Sequence, residues 1–386
     1  MPNHLKRRLA IGVRIRAFAA ALAIALIGGM WIGNDAVAQS NPNVRPPASA
    51  VGNAQPQRPV TTADEGGNYD IELWKKLRQG AQGKVSIPDA KSGILVQAEG
   101  AEWTQVQRTE LPQWGGYAMA AMLSLLVLFY IARGKVRIEG GPAGVTITRF
   151  SALERASHWL MAVSFVVQGL TGLIALYGRD WLIPIIGKAS FASMAHFSKL
   201  IHAYVAFAFM VGLTLSFILW VRHNFPNRHD IVWLAKGGGM FSKHSHPPAR
   251  KFNAGQKILF WMIMIGGVSL SLSGISLLIP FEFSLFAKTF TALNVFGLNL
   301  PTELTPIQEM QYAVTWHSIV ALALLCVIFA HIYIGTIGME GAFDAMGSGE
   351  VDLNWAKEHH SLWVEEEMEK DRVAPHGTHA QVHPAE

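Results

Sequence analysis

Four histidines, His158, His202, His317 and His331, lie inside long uncharged stretches of this chain. An ionisable side chain is costly in so apolar a setting, so each is a candidate functional residue, the plain alternative being an interfacial histidine bonded to a carbonyl or a lipid headgroup. Neutral imidazole is a good transition-metal ligand, and metal ligation is the first chemistry these residues could do. His317 and His331 stand fourteen positions apart. On a helix, fourteen steps of 100° end about 40° short of four turns, so both rings leave one face, roughly 21 Å apart along the axis. The single cysteine, Cys326, sits in an apolar run. That excludes an intrachain disulfide, a Cys-rich zinc site, an iron–sulfur cluster held by this chain alone and a C-x-x-C-H haem attachment, and leaves histidine as the metal ligand.

The elements that carry these residues are membrane spans. Of 386 residues, 51% are hydrophobic and 15% charged, against about 25% charged in an ordinary soluble domain. Five uncharged stretches, 115–132, 156–177, 200–221, 258–281 and 312–339, are 18 to 28 residues long, and a bilayer core of roughly 30 Å needs ~20 helical residues. The net charge of +5 belongs to basic residues clustered at the ends of these runs, which speaks for membrane topology and against nucleic acid. The loop 133–155 carries five Lys/Arg and the loop 222–257 seven, whereas 178–199 carries three and 282–311 only Lys288. The positive-inside rule therefore puts the two basic loops in the cytoplasm, the start of the mature chain outside and the tail after residue 339 inside.

Threading this topology places His202 and His317 near the outer face and His158 and His331 near the inner one. Two histidines share each level, which suits one iron porphyrin per level, with one axial ligand from the last helix and one from a facing helix. The expected pairs are His202 with His317 for an outer haem and His158 with His331 for an inner haem, two b-type haems in all. Zinc would need three or four ligands at one level, and a proton relay is poorly served by two levels so far apart. Gly169, Gly172, Gly266, Gly267 and Gly274 lie on the same helices, where small residues also serve ordinary helix packing.

Toward the N-terminus, Lys6, Arg7, Arg8, Arg14 and Arg16 precede an apolar run that ends at Ala36-Val37-Ala38, the pattern of a secretory signal peptide over 1–38, with an uncleaved signal anchor as the rival. Residues 39–114 form an external extension, its first part rich in Asn, Pro, Gln and Ala and expected to be disordered. The span 115–132 is additional to a four-helix unit over 148–340, and 341–386 forms a cytoplasmic tail. The fold expected is an all-α integral membrane protein, a four-helix di-haem bundle plus one extra N-terminal transmembrane helix.

At these residues the chain resembles the cytochrome b gamma subunit of respiratory formate dehydrogenase. The matching segments are Arg149-Phe150 through His158-Trp159, Lys199 through His202, the run Lys251-Phe252-Asn253-Ala254-Gly255-Gln256-Lys257, Trp316-His317 through His331-Ile332-Tyr333, and Trp355 through His360 in the tail. Together they cover about residues 148–365. The K-F-N-A-G-Q-K run is specific, while the histidine pattern is shared with membrane-hydrogenase cytochromes. The resemblance implies two haem b groups held at His158, His202, His317 and His331, and a bacterial inner-membrane location. It implies a periplasmic molybdenum or tungsten alpha subunit that oxidises formate, an iron–sulfur beta subunit that passes electrons to the outer haem, and a quinone reduced near the inner one. Asn253 falls at the family's quinone position, although Asn just before a helix is also a preferred N-cap. The first ~140 residues depart from the shortest family members. The rival readings are a hydrogenase cytochrome b, with the same haems and another donor, and a membrane anchor or transporter without redox chemistry.

Overall fold

The computed structural model describes residues 98–239, 245–373 and 382–384. The expected signal 1–38 and most of the extension lie outside the described residues. The chain divides into two units, and everything below from Trp114 onward belongs to one of them. In the other, helix α1 (Ala98–Gln105) leads through a π turn at Val106–Glu110 toward α2 (Leu111–Arg133).

Among the described residues five helices are long and apolar enough to cross a membrane: Glu102–Arg133, Ala152–Trp181, Ile183–His223, Ala254–Leu278 and Pro306–Gly338. The last four are built on α3 (Ala152–Trp181), α4 (Ile183–Trp220), α6 (Ala254–Leu278) and α8 (Pro306–Tyr333), with the short α5 (Arg228–Ala235) and α7 (Leu285–Asn294) in the connections. Their starts are written in the sequence. Ser151 with Glu154, Asn253 with Gln256 and Thr305 with Gln308 each form a capping box, in which side chain and main chain satisfy each other's first-turn donors. Large apolar side chains such as Leu128, Ile131, Ile218 and Ile265 face outward, which is costly against water and favourable against lipid.

Close packing rests on small residues. A Cβ at Gly212 of α4 would lie 2.7 Å from the Met161 nitrogen of α3, so these two backbones touch. A Cβ at Gly266 or Gly267 of α6 would collide with Leu324 or Leu213. Helix α4 differs from the expectation of a loop over 178–199. It starts at Ile183 with a proline in its first turn, breaks at Gly187, whose φ is +78°, and runs on through His196 to Trp220. The glycine absorbs the turn, so the connection needs hardly any loop.

The basic loops and the tail assemble at one end of the bundle. Strand β1 (Val145–Thr148) pairs antiparallel with β2 (Glu350–Asp352) in the register Ile147↔Val351, and with β3 (Val382–Pro384) on its other edge. Next come the one-turn helix α9 (Asp344–Gly347) before β2 and α10 (Leu353–Val373) after it. Phe150, Trp220, Phe252, Val351, Trp355 and Trp363 form a buried cluster that fastens this cap to the bundle. Two ion pairs hold its rim, Lys251–Glu154 at 2.6 Å and Lys257–Asp230 at 2.8 Å.

Candidate functional site

His202 on α4 and His317 on α8 meet in the bundle, with ring centroids 6.2 Å apart and planes at 63°. His158 on α3 and His331 on α8 meet in the same way, 6.2 Å apart at 65°. These are the two pairs expected from depth along the helices. The separation is chemically informative. A metal–nitrogen bond of about 2.0–2.1 Å and a nitrogen about 1.1 Å from its ring centroid put two imidazoles on opposite sides of one metal at about 6.2–6.4 Å. Among the described residues no group of three or more His, Cys, Asp or Glu converges as a metal site. A metal here takes two protein ligands and must bring the rest of its coordination with it, as a porphyrin does.

The first pair is held in place by hydroxyls. Thr171 Oγ1 lies 2.8 Å from the Val167 carbonyl one turn back and 2.8 Å from His202 Nδ1. Its single proton goes to the carbonyl, so its oxygen accepts from His202 Nδ1–H. Ser273 Oγ does the same for His317, at 2.8 Å from the Ser269 carbonyl and 2.9 Å from His317 Nδ1. The carbonyls of Gln168 and Leu270 also bond these rings. Both imidazoles are thereby fixed with the proton on Nδ1, leaving Nε2 with its lone pair for a metal. Gly172 and Gly274 lie beside the rings, where a Cβ would come within 3.7 Å of His202 Cε1 and 3.4 Å of His317 Cε1. Of the five glycines singled out in the sequence these two flank the histidines, while Gly169, Gly266 and Gly267 pack against leucines.

The second pair has a different setting. His158 Nδ1 is buried with no protein partner, and both His158 and His331 line a cavity of about 1330 Å³. A typical single-ligand pocket measures about 300–1,000 Å³, so this one has room for a porphyrin and a second molecule. A buried ring nitrogen without a protein partner, in the wall of such a space, fits ligation of a group placed there. Phe165, Met161 and Ile328 supply apolar wall between the helices.

Asn253 lines the same cavity. Its side-chain oxygen accepts the Gln256 main-chain N–H at 2.9 Å, and Gln256 answers by accepting the Asn253 N–H at 3.1 Å. The residue is therefore the N-cap of α6, with its carboxamide nitrogen left over for other work.

A profile described as prokaryotic cytochrome b561 matches residues 149–349, more than half of the chain. The cytochrome b556(fdo) subunit of formate dehydrogenase from Escherichia coli (strain K12) is 30% identical over 222 residues, 57% of this chain and 93% of that protein. The nitrate-inducible cytochrome b556(Fdn) subunit of the same organism is 28% identical over 223 residues, 57% and 91%. The formate dehydrogenase cytochrome b556 subunit of Haemophilus influenzae is 30% identical over 227 residues, 58% and 84%. The chain belongs to this cytochrome b family. All four bundle histidines fall within the matched region.

Several residues of the cytochrome's cap had no signal of their own. His360 is fully buried, and its Nδ1–H donates to the Arg250 carbonyl at 2.8 Å; burial and the nearby Arg149 push its pKa well below the usual histidine value. His359, whose ring is tilted 58° to that of Trp355 at 5.1 Å, is pushed down to about 4 by burial, then by His246 and Arg149. Arg149 is itself buried, donates to the Lys251 carbonyl at 2.8 Å, and lies 5.1–5.4 Å from the ring centroids of Phe150, Trp355 and Trp363. Burial lowers its pKa to about 9, and the three rings supply cation–π attraction in return. In the sequence, the family matches at Arg149-Phe150, Lys251-Phe252 and Trp355 through His360 were the pointers to this cluster.

Proposed function

We propose that the chain is the membrane subunit of a formate dehydrogenase, holding one haem b between His202 and His317 and a second between His158 and His331, and passing electrons from the outer level to quinone at the inner one. The observation that carries this reading is the pair of imidazole couples, each with centroids 6.2 Å apart, at two levels of one bundle. Bound there, haem b supplies one-electron carriers on the two sides of the bilayer. The chain's own residues do the rest. Thr171 and Ser273 fix the tautomer and ring plane of the outer ligands. The large cavity beside His158 and His331 admits a quinone, with Asn253 at its wall. The Asn253 carboxamide nitrogen, free of the capping bond, donates to a quinone carbonyl.

The electron source in this reading is a periplasmic partner: a molybdenum or tungsten catalytic subunit that oxidises formate and an iron–sulfur subunit that docks at the outer end. Signal 1–38, extension 39–114, extra span 115–132, four-helix unit 148–340 and tail 341–386 are the working division. The mature N-terminus is periplasmic and the C-terminus cytoplasmic, in a bacterial inner membrane. Electrons then move inward against the membrane potential, at about 2.3 kcal/mol per charge per 100 mV for the full transit, which is how the pathway conserves energy.

The test is formate added to anaerobic native membranes, with and without this gene. Haem reduction at b-type wavelengths that requires the chain supports the assignment. Haem reduced by hydrogen and unaffected by formate reassigns the donor to a hydrogenase and leaves the bundle standing. Membranes in which the chain adds no b-type absorption refute the haem reading.

A further inference from the structure

The cavity beside His158 and His331 has a second wall, built by the cap, and that wall is titratable. Glu139, His246, Glu358 and His359 all line it. Glu139 Oε2 and His246 Nε2 lie within hydrogen-bond distance at 2.8 Å, and their side chains are 47% and 32% exposed. These two groups therefore touch both the solvent and the cavity. The Glu139 main-chain N–H bonds the Glu358 carboxylate, which joins the pair to a half-buried acid on α10. Trp355 lies one turn back along α10 with its ring 5.1 Å from that of His359, and its indole N–H is buried without a protein partner in the same wall. The sequence 139–246–358 thus leads from exposed to half-buried groups along one cavity whose far wall holds the inner histidine pair.

We propose that Glu358, supplied through Glu139 and His246, delivers the protons taken up when quinone is reduced in this cavity; the proposal rests on reading the cavity as the quinone site. The balance is simple. One quinone receives two electrons from the donor dehydrogenase through the bundle and two protons from the cytoplasm, and becomes the hydroquinone. At each protonation the Glu358 O–H bond breaks and an O–H bond forms on the quinone oxygen. The resulting carboxylate is reprotonated by a proton drawn from water by way of Glu139 and His246.

The surroundings shift Glu358 toward holding its proton. Burial is the largest influence on Glu358 and raises its pKa; repulsion from Glu139 and Asp352 raises it further, while His246 and the Glu139 N–H pull the other way. His359 faces His246, Arg149 and the buried His360, and is kept neutral by them and by burial, so the next group along the wall is uncharged. Lys135 and Arg137 stand in the same wall and hold the site attractive to an anionic reduced quinone until its protons arrive.

The experiment uses native membranes carrying the whole complex, with the haem reduced by a stoichiometric amount of dithionite and then mixed with a short-chain quinone. Haem reoxidation is followed between pH 5.5 and 8.5. Glu358→Gln should reoxidise on the order of 10²-fold more slowly at the alkaline end, with normal haem content, and approach the parent rate at the acid end as bulk protons substitute. Glu358→Asp should recover most of the rate. A Glu358→Gln variant with full haem and the parent pH profile overturns the proposal. Should that variant lose its haem, the double variant Glu139→Gln/His246→Gln at the exposed end decides: a shifted pH profile supports the relay and an unchanged one overturns it. Because dithionite replaces the physiological donor, a wrong assignment of formate leaves this test intact. Failure of the parent membranes to pass electrons to the quinone at all would instead sink the quinone reading.

Discussion

Replacing Thr171 by valine isolates one atom of the outer site. Valine keeps the shape and the β-branch, so the buried position on α3 stays filled, and only the hydroxyl that accepts from His202 Nδ1–H is lost. That bond lends the imidazole some imidazolate character and makes it a stronger donor, which favours ferric iron at Nε2. Removing it should therefore raise the potential of the outer haem. A net hydrogen bond is worth about 0.5–1.5 kcal/mol. If all of it is felt in one oxidation state, the one-electron shift is about 20–60 mV, since 1.4 kcal/mol and 59 mV both stand for a factor of ten. The Gln168 carbonyl also bonds the ring and remains in the variant, so the lower half of that range is expected.

The assay is a potentiometric titration of the b-type absorption in membranes, fitted with two components. One component should rise by about 20–40 mV and the other stay fixed. Ser273→Ala, acting on His317 of the same pair, should move the same component in the same direction. A fall in potential would refute the argued effect of the hydroxyl. If the two variants moved different components, Thr171 and Ser273 would not serve one site, and the pairing of His202 with His317 would be wrong.

His331→Ala and His317→Ala should each halve the haem content, measured as pyridine haemochrome per chain, and leave the other component titrating as before. Asn253→Ser keeps a capping oxygen but loses the carboxamide nitrogen; parent thermal stability with slowed quinone reduction would assign that nitrogen to quinone, whereas an unchanged rate would leave Asn253 a cap alone. Gly212→Val would drive a side chain into the Met161 backbone and should cost about 1–3 kcal/mol, read as a lower midpoint for heat-induced loss of haem. In the cap, His359 and His360 are neutral when folded, their pKa values lying below the usual 6.5, near 4 for His359. Unfolding of the cap binds protons below pH 6.5, so its stability is complete above that value and falls between about pH 6.5 and 4. Limited proteolysis of the tail should accelerate across that window, and His360→Gln should flatten part of the change.

How much of this was legible in the sequence depended on the solvent each segment meets. A membrane helix advertises itself by length and lack of charge, so the spans and their histidines could be found from spacing alone, and the capping residues Ser151, Asn253 and Thr305 mark three starts. The continuation of α4 back to Ile183 was obscured because Lys188 and Lys199 make 178–199 look like a loop, although nothing there stops a helix except the turn at Gly187. The cap was nearly invisible. Strands β1 and β2 have four and three residues, too short for a period to emerge, and their pairing joins positions about 200 apart. His359 and His360 sit among charged neighbours and read as solvated, yet His360 is fully buried and the Trp355 ring lies against both.

The two histidine pairs have the same spacing but not the same surroundings, and the difference carries meaning. His202 and His317 are each tied by Nδ1 to a hydroxyl that is itself tied to its helix, and glycines press close to both rings. Such a site holds its ring planes fixed, suited to accepting electrons from a protein surface and passing them on with little rearrangement. His158 has an unpaired ring nitrogen and, with His331, faces a cavity larger than one cofactor fills, bounded by the capping residue of α6 and by Glu358 of the tail. A site of that kind has to admit and release a diffusing molecule and to meet protons. If the asymmetry is functional, filling the cavity beside His158 and His331 should separate the two tasks. Bulk added to the cavity wall where a side chain meets open space, as in Gly335→Leu, should block quinone while leaving both haems bound and reducible from the outer side. Loss of the inner haem in that variant, with quinone turnover failing only for that reason, would show that the cavity is the cofactor's own pocket and that the second molecule enters elsewhere.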